Sequence, residues 1–182
     1  MWRPSPKITW RGQEPSPMRN TDIDLAGLAA RVGRHLLDSR RGVATAESCT
    51  GGWIAKSLTD IAGSSQWFIE GFVTYSNESK QRRLGVPASV LQTRGAVSEA
   101  AVRAMARGAL DRSGAQLAVA VTGIAGPGGA VPGKPVGTVW LGWAVRRGRA
   151  IHVAVQLKHF RGDRDTVRRK TVRAALEGLL RR

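Results

Sequence analysis

The stretch Gly42-Val43-Ala44-Thr45-Ala46-Glu47-Ser48-Cys49-Thr50-Gly51-Gly52-Trp53 decides the fold class. Its first half, Gly42 to Ala46, is a short apolar run that reads as a buried strand, and beyond it Trp53, Ile54, Ser57, Leu58 and Ile61 recur at helical spacing. A strand running into a helix over about 50–61 through a glycine turn puts Ser48 on that turn, at a helix start. Amides there lack intrahelical partners, and the helix dipole favours negative charge. Gly51 and Gly52 have no Cβ, so a carbonyl or phosphate oxygen can approach the backbone closely, as an oxyanion hole or anion cradle requires.

A second unit of the same kind follows. Leu117-Ala118-Val119-Ala120-Val121 is a continuous apolar run, typical of a strand covered on both faces, and it ends in the loop Thr122-Gly123-Ile124-Ala125-Gly126-Pro127-Gly128-Gly129. This loop fits neither the GxxxxGK[ST] phosphate loop nor the GxGxxG dinucleotide fingerprint. Ligands of open α/β sheets bind outside the carboxyl ends of strands, so the two glycine loops are expected to share one crevice.

The remaining pattern surrounds these units with helices. Leu25, Leu28, Ala29, Val32, Leu36 and Leu37 mark one face of a helix over about 22–40, with a capping-box-like start at Thr21 and Asp24. Trp67 to Tyr75 reads as a strand, Ser76 to Lys80 as a short helical piece, and Pro87 as the start of another. Ser98 caps a longer helix through Val102, Met105, Ala106 and Leu110. Thr138–Val145 and Ala150–Gln156 form a hairpin turned at Arg147-Gly148, and Val167, Val172, Ala175, Leu176 and Leu179 mark a final helix. The expected architecture is α/β: a three-layer α/β/α sandwich with a mixed, largely parallel sheet. Residues 1–20, rich in Pro, Arg and Ser, read as a disordered extension in which Met18 is an alternative start, and 21–182 as one domain.

Composition bounds the function. Cys49 is the sole cysteine, which excludes an internal disulfide framework and a cysteine zinc site, and His35, His152 and His159 show no metal-ligand spacing. No metal and no cofactor are expected. The reading is cytoplasmic, with no signal peptide and no membrane association, since no apolar stretch approaches the ~20 residues of a span. The 29 Lys and Arg against 13 Asp and Glu give a net charge of +16, of which +9 falls between Arg146 and Arg182. No nucleic-acid-binding signature accompanies the charge, so solvated surface and anionic small ligands are favoured, with only weak nonspecific nucleic-acid binding.

A serine nucleophile at Ser48 needs a base, because the hydroxyl has a high intrinsic pKa. No histidine lies in a comparable loop. Lys80 is the candidate: a desolvated lysine loses affinity for its proton and becomes a base near neutral pH. The alternative for Lys80 is an ordinary surface charge. Tyr75, the single tyrosine, offers a hydroxyl to bridge nucleophile and base, or simply an aromatic ring packed at a strand end. Cys49 is the competing nucleophile, since a thiol at a helix N-terminus has a lowered pKa, although a buried packing role fits it too.

Read together, AESCTGG (46–52), GFVTYSNESK (71–80), GAVS (95–98), VTGIAGPGG (121–129), KPVGTV (134–139) and HFRGDRDTVR (159–168) resemble the CinA C-terminal domain family, in its stand-alone form. That family includes nicotinamide-nucleotide amidohydrolases. The resemblance implies Ser48 as nucleophile, Lys80 as general base and Tyr75 as supporting hydroxyl, with Thr50, Gly51, Gly52, Thr122, Gly123 and Gly126 binding substrate. It implies hydrolysis of nicotinamide mononucleotide to nicotinate mononucleotide and ammonia, the oxyanion held by amides around Thr50 to Gly52. Arg164 and Arg168 are the candidate phosphate ligands, and a homodimer is expected. A non-enzymatic pyridine-nucleotide sensor, or a partner domain in DNA uptake and damage, is the alternative.

Overall fold

The computed structural model describes the backbone of residues 20–182 and side chains from Leu25 onward. The extension expected over 1–20, apart from Asn20, lies outside the described residues, as do the Thr21 and Asp24 side chains on which the expected capping box depends. The chain runs α1 (Asn20–Asp38), β1 (Val43–Glu47), α2 (Trp53–Thr59), a 3-10 turn (Ser64–Gln66), β2 (Phe68–Val73), α3 (Asn77–Leu84), α4 (Ala88–Thr93), α5 (Glu99–Ser113), β3 (Leu117–Gly123), β4 (Thr138–Arg147), β5 (Ala150–His159) and α6 (Arg164–Leu180).

The five strands form one sheet in the order β2-β1-β3-β4-β5. β1 pairs in parallel with β2 and β3, while β4 is antiparallel to both β3 and β5, so β4 alone runs against the other four. The expected mixed, largely parallel sheet is what forms.

Strand alternation sorts the core into two layers. Val43, Leu117, Val119, Val121, Leu141 and Trp143 point towards α1, α2 and α6. Ala44, Ala46, Ala118, Ala120 and Ala144 point towards α5, with Leu84 and Leu91 of α3 and α4 beside them. The second face is built from alanine because α5 lies close against the sheet: a Cβ on Gly142 would sit 3.2 Å from the Val102 carbonyl oxygen. Gly108 on α5 allows an even closer approach, since its Cβ would fall 1.9 Å from the Leu84 carbonyl oxygen at the end of α3.

Three boundaries differ from the sequence reading, each for a physical reason. α2 begins at Trp53 rather than near 50, because Gly51 and Gly52 take positive φ (63° and 95°) and hold the preceding residues in a turn. β2 stops at Val73 and is an edge strand, half exposed, because among the described residues its only strand partner is β1. The final strand extends to His159, paired with Thr138 of β4.

The chain leaves β1 for β2 through α2 on one face, then leaves β2 for β3 through α3, α4 and α5 on the other. The carboxyl ends of the neighbouring strands β1 and β3 therefore open into a crevice with no helix across it. The Ser48 amide donates to the Val121 carbonyl of β3 there, and the 122–129 loop continues from that strand.

Gly108→Ala tests the packing of α5. Helix propensity alone favours alanine by about 1 kcal/mol, but the clash with Leu84 should cost more, for a net loss of about 2 kcal/mol. A Tm lowered by roughly 4–8 °C is expected by calorimetry; a Tm equal to or above the parent's would contradict it.

Candidate active site

The turn after β1 is organised by Glu47, a fully buried carboxylate. One carboxylate oxygen accepts from the Thr50 hydroxyl (2.6 Å) and the amides of Gly52 (3.1 Å) and Ile54 (3.0 Å), and the other from the Ala55 amide (2.8 Å). Four donors converge on one acceptor group, the arrangement of a side-chain cap at a helix start. The carboxylate thus occupies the anion position at the start of α2. An external phosphate cannot use it.

With Glu47 in place, Ser48 is thrown forward of the helix, half-buried on the crevice side. Its amide donates to the Val121 carbonyl of β3 (3.1 Å), which ties the turn to the neighbouring strand. Arg168 of α6 holds the outer side, donating from Nε to the Cys49 carbonyl (3.1 Å) and from Nη2 to the Thr50 carbonyl (2.7 Å), with its guanidinium 5.3 Å from the centre of the Trp53 ring.

Lys80 reaches the same serine from α3. Its Nζ lies 3.0 Å from Ser48 Oγ and donates to the carbonyls of Thr74 (2.8 Å) and Tyr75 (3.0 Å). The side chain is 1 % exposed, and no hydrogen bond or ion pair joins it to a carboxylate among the described residues. Burial pushes its pKa below the usual 10.5, with a smaller opposing effect from Cys49. The sequence alternative, a surface charge, is therefore excluded.

Several expectations change. Tyr75 does not bridge nucleophile and base: its ring is 60 % exposed, and its hydroxyl accepts from Arg164 Nη2 (3.0 Å). Only its backbone carbonyl touches Lys80. Arg164 also donates to the Gly126 carbonyl (2.8 Å), so it joins the end of β2 to the glycine loop. Thr50 is buried against Glu47. The Gly51 amide donates to the Ser48 carbonyl and the Gly52 amide to Glu47, so neither can hold an oxyanion. Both glycines instead line a cavity of about 620 Å³ on the α2 and α6 side, with Trp53, Ser57, Arg168 and Arg169 but without Ser48 or Lys80. Thr122 donates its hydroxyl to the Ala96 carbonyl (2.9 Å) and anchors the 95–98 segment. Gly123 is packed against Thr138 and Val139 of β4.

The exposed backbone amides of Gly128 and Gly129 have no acceptor among the described residues, whereas Thr50 is fully buried and the Cys49 amide faces its own thiol. The Cys49 thiol is 6 % exposed and its pKa is pushed up to about 12, chiefly by burial, its own amide and the Lys80 and Arg168 charges offsetting this only in part. A thiol held that high stays protonated at neutral pH and is a poor nucleophile. No group of three or more His, Cys, Asp or Glu placed to hold a metal ion occurs among the described residues.

Residues 25–182 match the CinA C-terminal domain model. The chain belongs to the CinA C-terminal domain family. It is 55 % identical over 153 residues to the nicotinamide-nucleotide amidohydrolase PncC of Pseudomonas putida, covering 84 % of this chain and 93 % of that protein. It is 52 % identical over 159 residues to the protein of the same name in Escherichia coli K12, covering 87 % and 94 %. The crystal structure of competence damage-inducible protein A (ComA) of Klebsiella pneumoniae superposes with a TM-score of 0.82 at 41 % identity, over 87 % of this chain and 96 % of that one.

Within this CinA-family site, Glu47 is the residue that sequence reasoning passed over. The available signal was an acidic side chain between an apolar strand and a glycine turn, three residues before Thr50. Glu47→Gln places an amide group where only donors converge, leaving at least one backbone amide without an acceptor. Stability should fall by about 3 kcal/mol, read as a Tm lower by roughly 6–12 °C; a shift below about 2 °C would show that the cap does not hold the turn.

Proposed function

We propose that the protein is a serine amidohydrolase that converts nicotinamide mononucleotide to nicotinate mononucleotide and ammonia, with Ser48 as nucleophile and Lys80 as general base. The observation that carries the proposal is the 3.0 Å contact between Lys80 Nζ and Ser48 Oγ, made by an amine whose other partners are two carbonyls. A neutral amine has two N–H groups and one lone pair. The two carbonyls take the N–H groups, and the lone pair is left facing the Ser48 hydroxyl.

The reaction follows from that arrangement. Lys80 takes the Ser48 proton as Oγ bonds to the carboxamide carbon. The carbonyl π-bond opens to an oxyanion beside the turn that follows Ser48. Collapse of this intermediate breaks the C–N bond, and the Lys80 ammonium returns its proton to the departing nitrogen, releasing ammonia. The ester on Ser48 is then cleaved by water, again with Lys80 accepting and returning the proton, and the carboxylate product leaves. Every proton moves through one nitrogen, so no second titrating side chain is required.

The substrate carries a phosphate, and the start of α2 is closed to it by Glu47. The free amides of Gly128 and Gly129 and the basic surface of the crevice supply donors and positive potential in its place. Arg164 and Arg168, first considered as phosphate ligands, act in this reading as wall-builders, since both spend donors on backbone carbonyls. Tyr75 supports the wall through Arg164. The names of the 52–55 % identical relatives support the substrate assignment, and with it a place in pyridine nucleotide salvage. Among the described residues no helix is long and apolar enough to cross a membrane; the unpaired Cys49 supports a cytoplasmic setting.

The test is direct. Purified protein incubated with nicotinamide mononucleotide should release ammonia and nicotinate mononucleotide in equal amounts. Ser48→Ala and Lys80→Met should each lose roughly a thousandfold or more in kcat at neutral pH while keeping the parent's circular dichroism. The wild-type rate should rise with pH through the lowered Lys80 pKa, because the neutral amine is the active form. An active Ser48→Ala variant would overturn the mechanism, and nucleotide binding without ammonia release would replace the enzyme with the sensor.

A further inference from the structure

The β2 edge is the least guarded surface of the molecule. Six large apolar side chains are exposed among the described residues, and three of them, Ile69 (50 %), Val73 (51 %) and Tyr75 (60 %), fall within seven positions of this strand and its end. The opposite edge, β5, carries Arg149, His152 and Lys158 at its turn and along its length, the charges by which proteins protect a sheet edge. β2 carries one charge, Glu70.

The two faces of β2 have different chemistry. Ile69, Gly71 and Val73 lie on the α2 side, where the Gly71 position approaches Ala55 and the Gly52 position approaches Val73. Glu70 and Phe72, paired with Ala44 and Ala46 of β1, lie on the α3 side. There they line a groove of about 410 Å³ with Arg82 and Arg83 of α3. Glu70, Arg82 and Arg83 make no hydrogen bond or ion pair among the described residues.

We propose that two copies of this chain join their β2 strands antiparallel about a two-fold axis at Gly71, giving a homodimer with one continuous ten-stranded sheet. The strand is self-complementary in this register and not in its neighbours. Ile69 of each copy falls opposite Val73 of the other, so the exposed apolar residues cover one another in two cross-strand pairs, and the side-chain-free Gly71 lies at the crossing. Glu70 of each copy falls opposite the second copy's Phe72, on the face where that copy presents Arg82 and Arg83. Moving the axis to Glu70 would set the two carboxylates directly against each other, which is destabilising. Moving it to Phe72 would set Val73 of each copy against the side-chain-free Gly71 of the other, and Ile69 against Tyr75, beyond the strand end. Such a contact is isologous and closed, so it ends at the dimer and does not propagate.

The interface stands apart from the assignment of the reaction, and its test does not use turnover. Sedimentation velocity of the full 182-residue chain should give about twice the 19.5 kDa chain mass. Ile69→Lys should return the mass to that of one chain. A double variant, Ile69→Cys with Val73→Cys, should form a covalent dimer on mild oxidation, because directly opposed strand residues lie within disulfide reach; buried Cys49 does not compete. Glu70→Arg should weaken the dimer at least tenfold, and adding Arg82→Glu and Arg83→Glu should restore it. A monomeric wild type would overturn the proposal, as would a dimer that survives Ile69→Lys without cross-linking through 69 and 73. A wild-type monomer that dimerises on removal of residues 1–19 would assign the edge to that segment instead.

Discussion

The site depends on one buried carboxylate. Glu47 ends β1 inside the core and satisfies the first donors of α2, and this single group sets where the helix begins and how the turn between them is drawn. A buried carboxylate is costly unless it is fully hydrogen-bonded, and four donors meet that requirement. The same arrangement spends the positive end of the helix on an internal anion. Ser48 is thus displayed by a helix start without being part of it, and that helix start is closed to an external anion.

Lys80 is the counterpart on the other side of the crevice. Its amine is buried, with no carboxylate bonded to it among the described residues, and two backbone carbonyls aim its nitrogen at Ser48. These carbonyls exist as free acceptors because β2 ends at Val73 and the chain turns before α3. Position comes from the end of a strand, proton affinity from burial. The site therefore rests on backbone geometry more than on side-chain partners, as the tyrosine, threonine and arginine contacts around it also indicate.

Much of this was legible in the sequence. The strand–turn–helix reading of 42–61, the buried run at 117–121, the short helical piece begun at Ser76, the helix cap at Ser98 and the three-layer architecture follow from periodicity and turn chemistry. Ser48 and Lys80, 32 positions apart, come together as the shared motifs implied. What failed was the assignment of single polar groups. Thr50 and Thr122 are expected to face a ligand and Tyr75 to bridge nucleophile and base, but each hydroxyl is engaged elsewhere in the protein, and Arg164 and Arg168 with backbone carbonyls. Whether a donor faces the crevice or its own loop depends on side-chain direction and on competing acceptors, neither of which periodicity encodes. Glu47 was missed for the same reason: an acidic residue at the end of a buried strand has no sequence pattern that distinguishes a cap from a surface charge.

The central claim is that the Lys80 amine is the base, and its titration tests that claim most directly. With 13C-labelled lysine, the ε-methylene signals of the folded protein can be followed against pH and assigned by Lys80→Met. One resonance, lost in that variant, should titrate clearly below the ordinary lysine value of 10.5. A Lys80 resonance that titrates at that ordinary value would mean a charged amine at neutral pH, and Ser48 would be without its base.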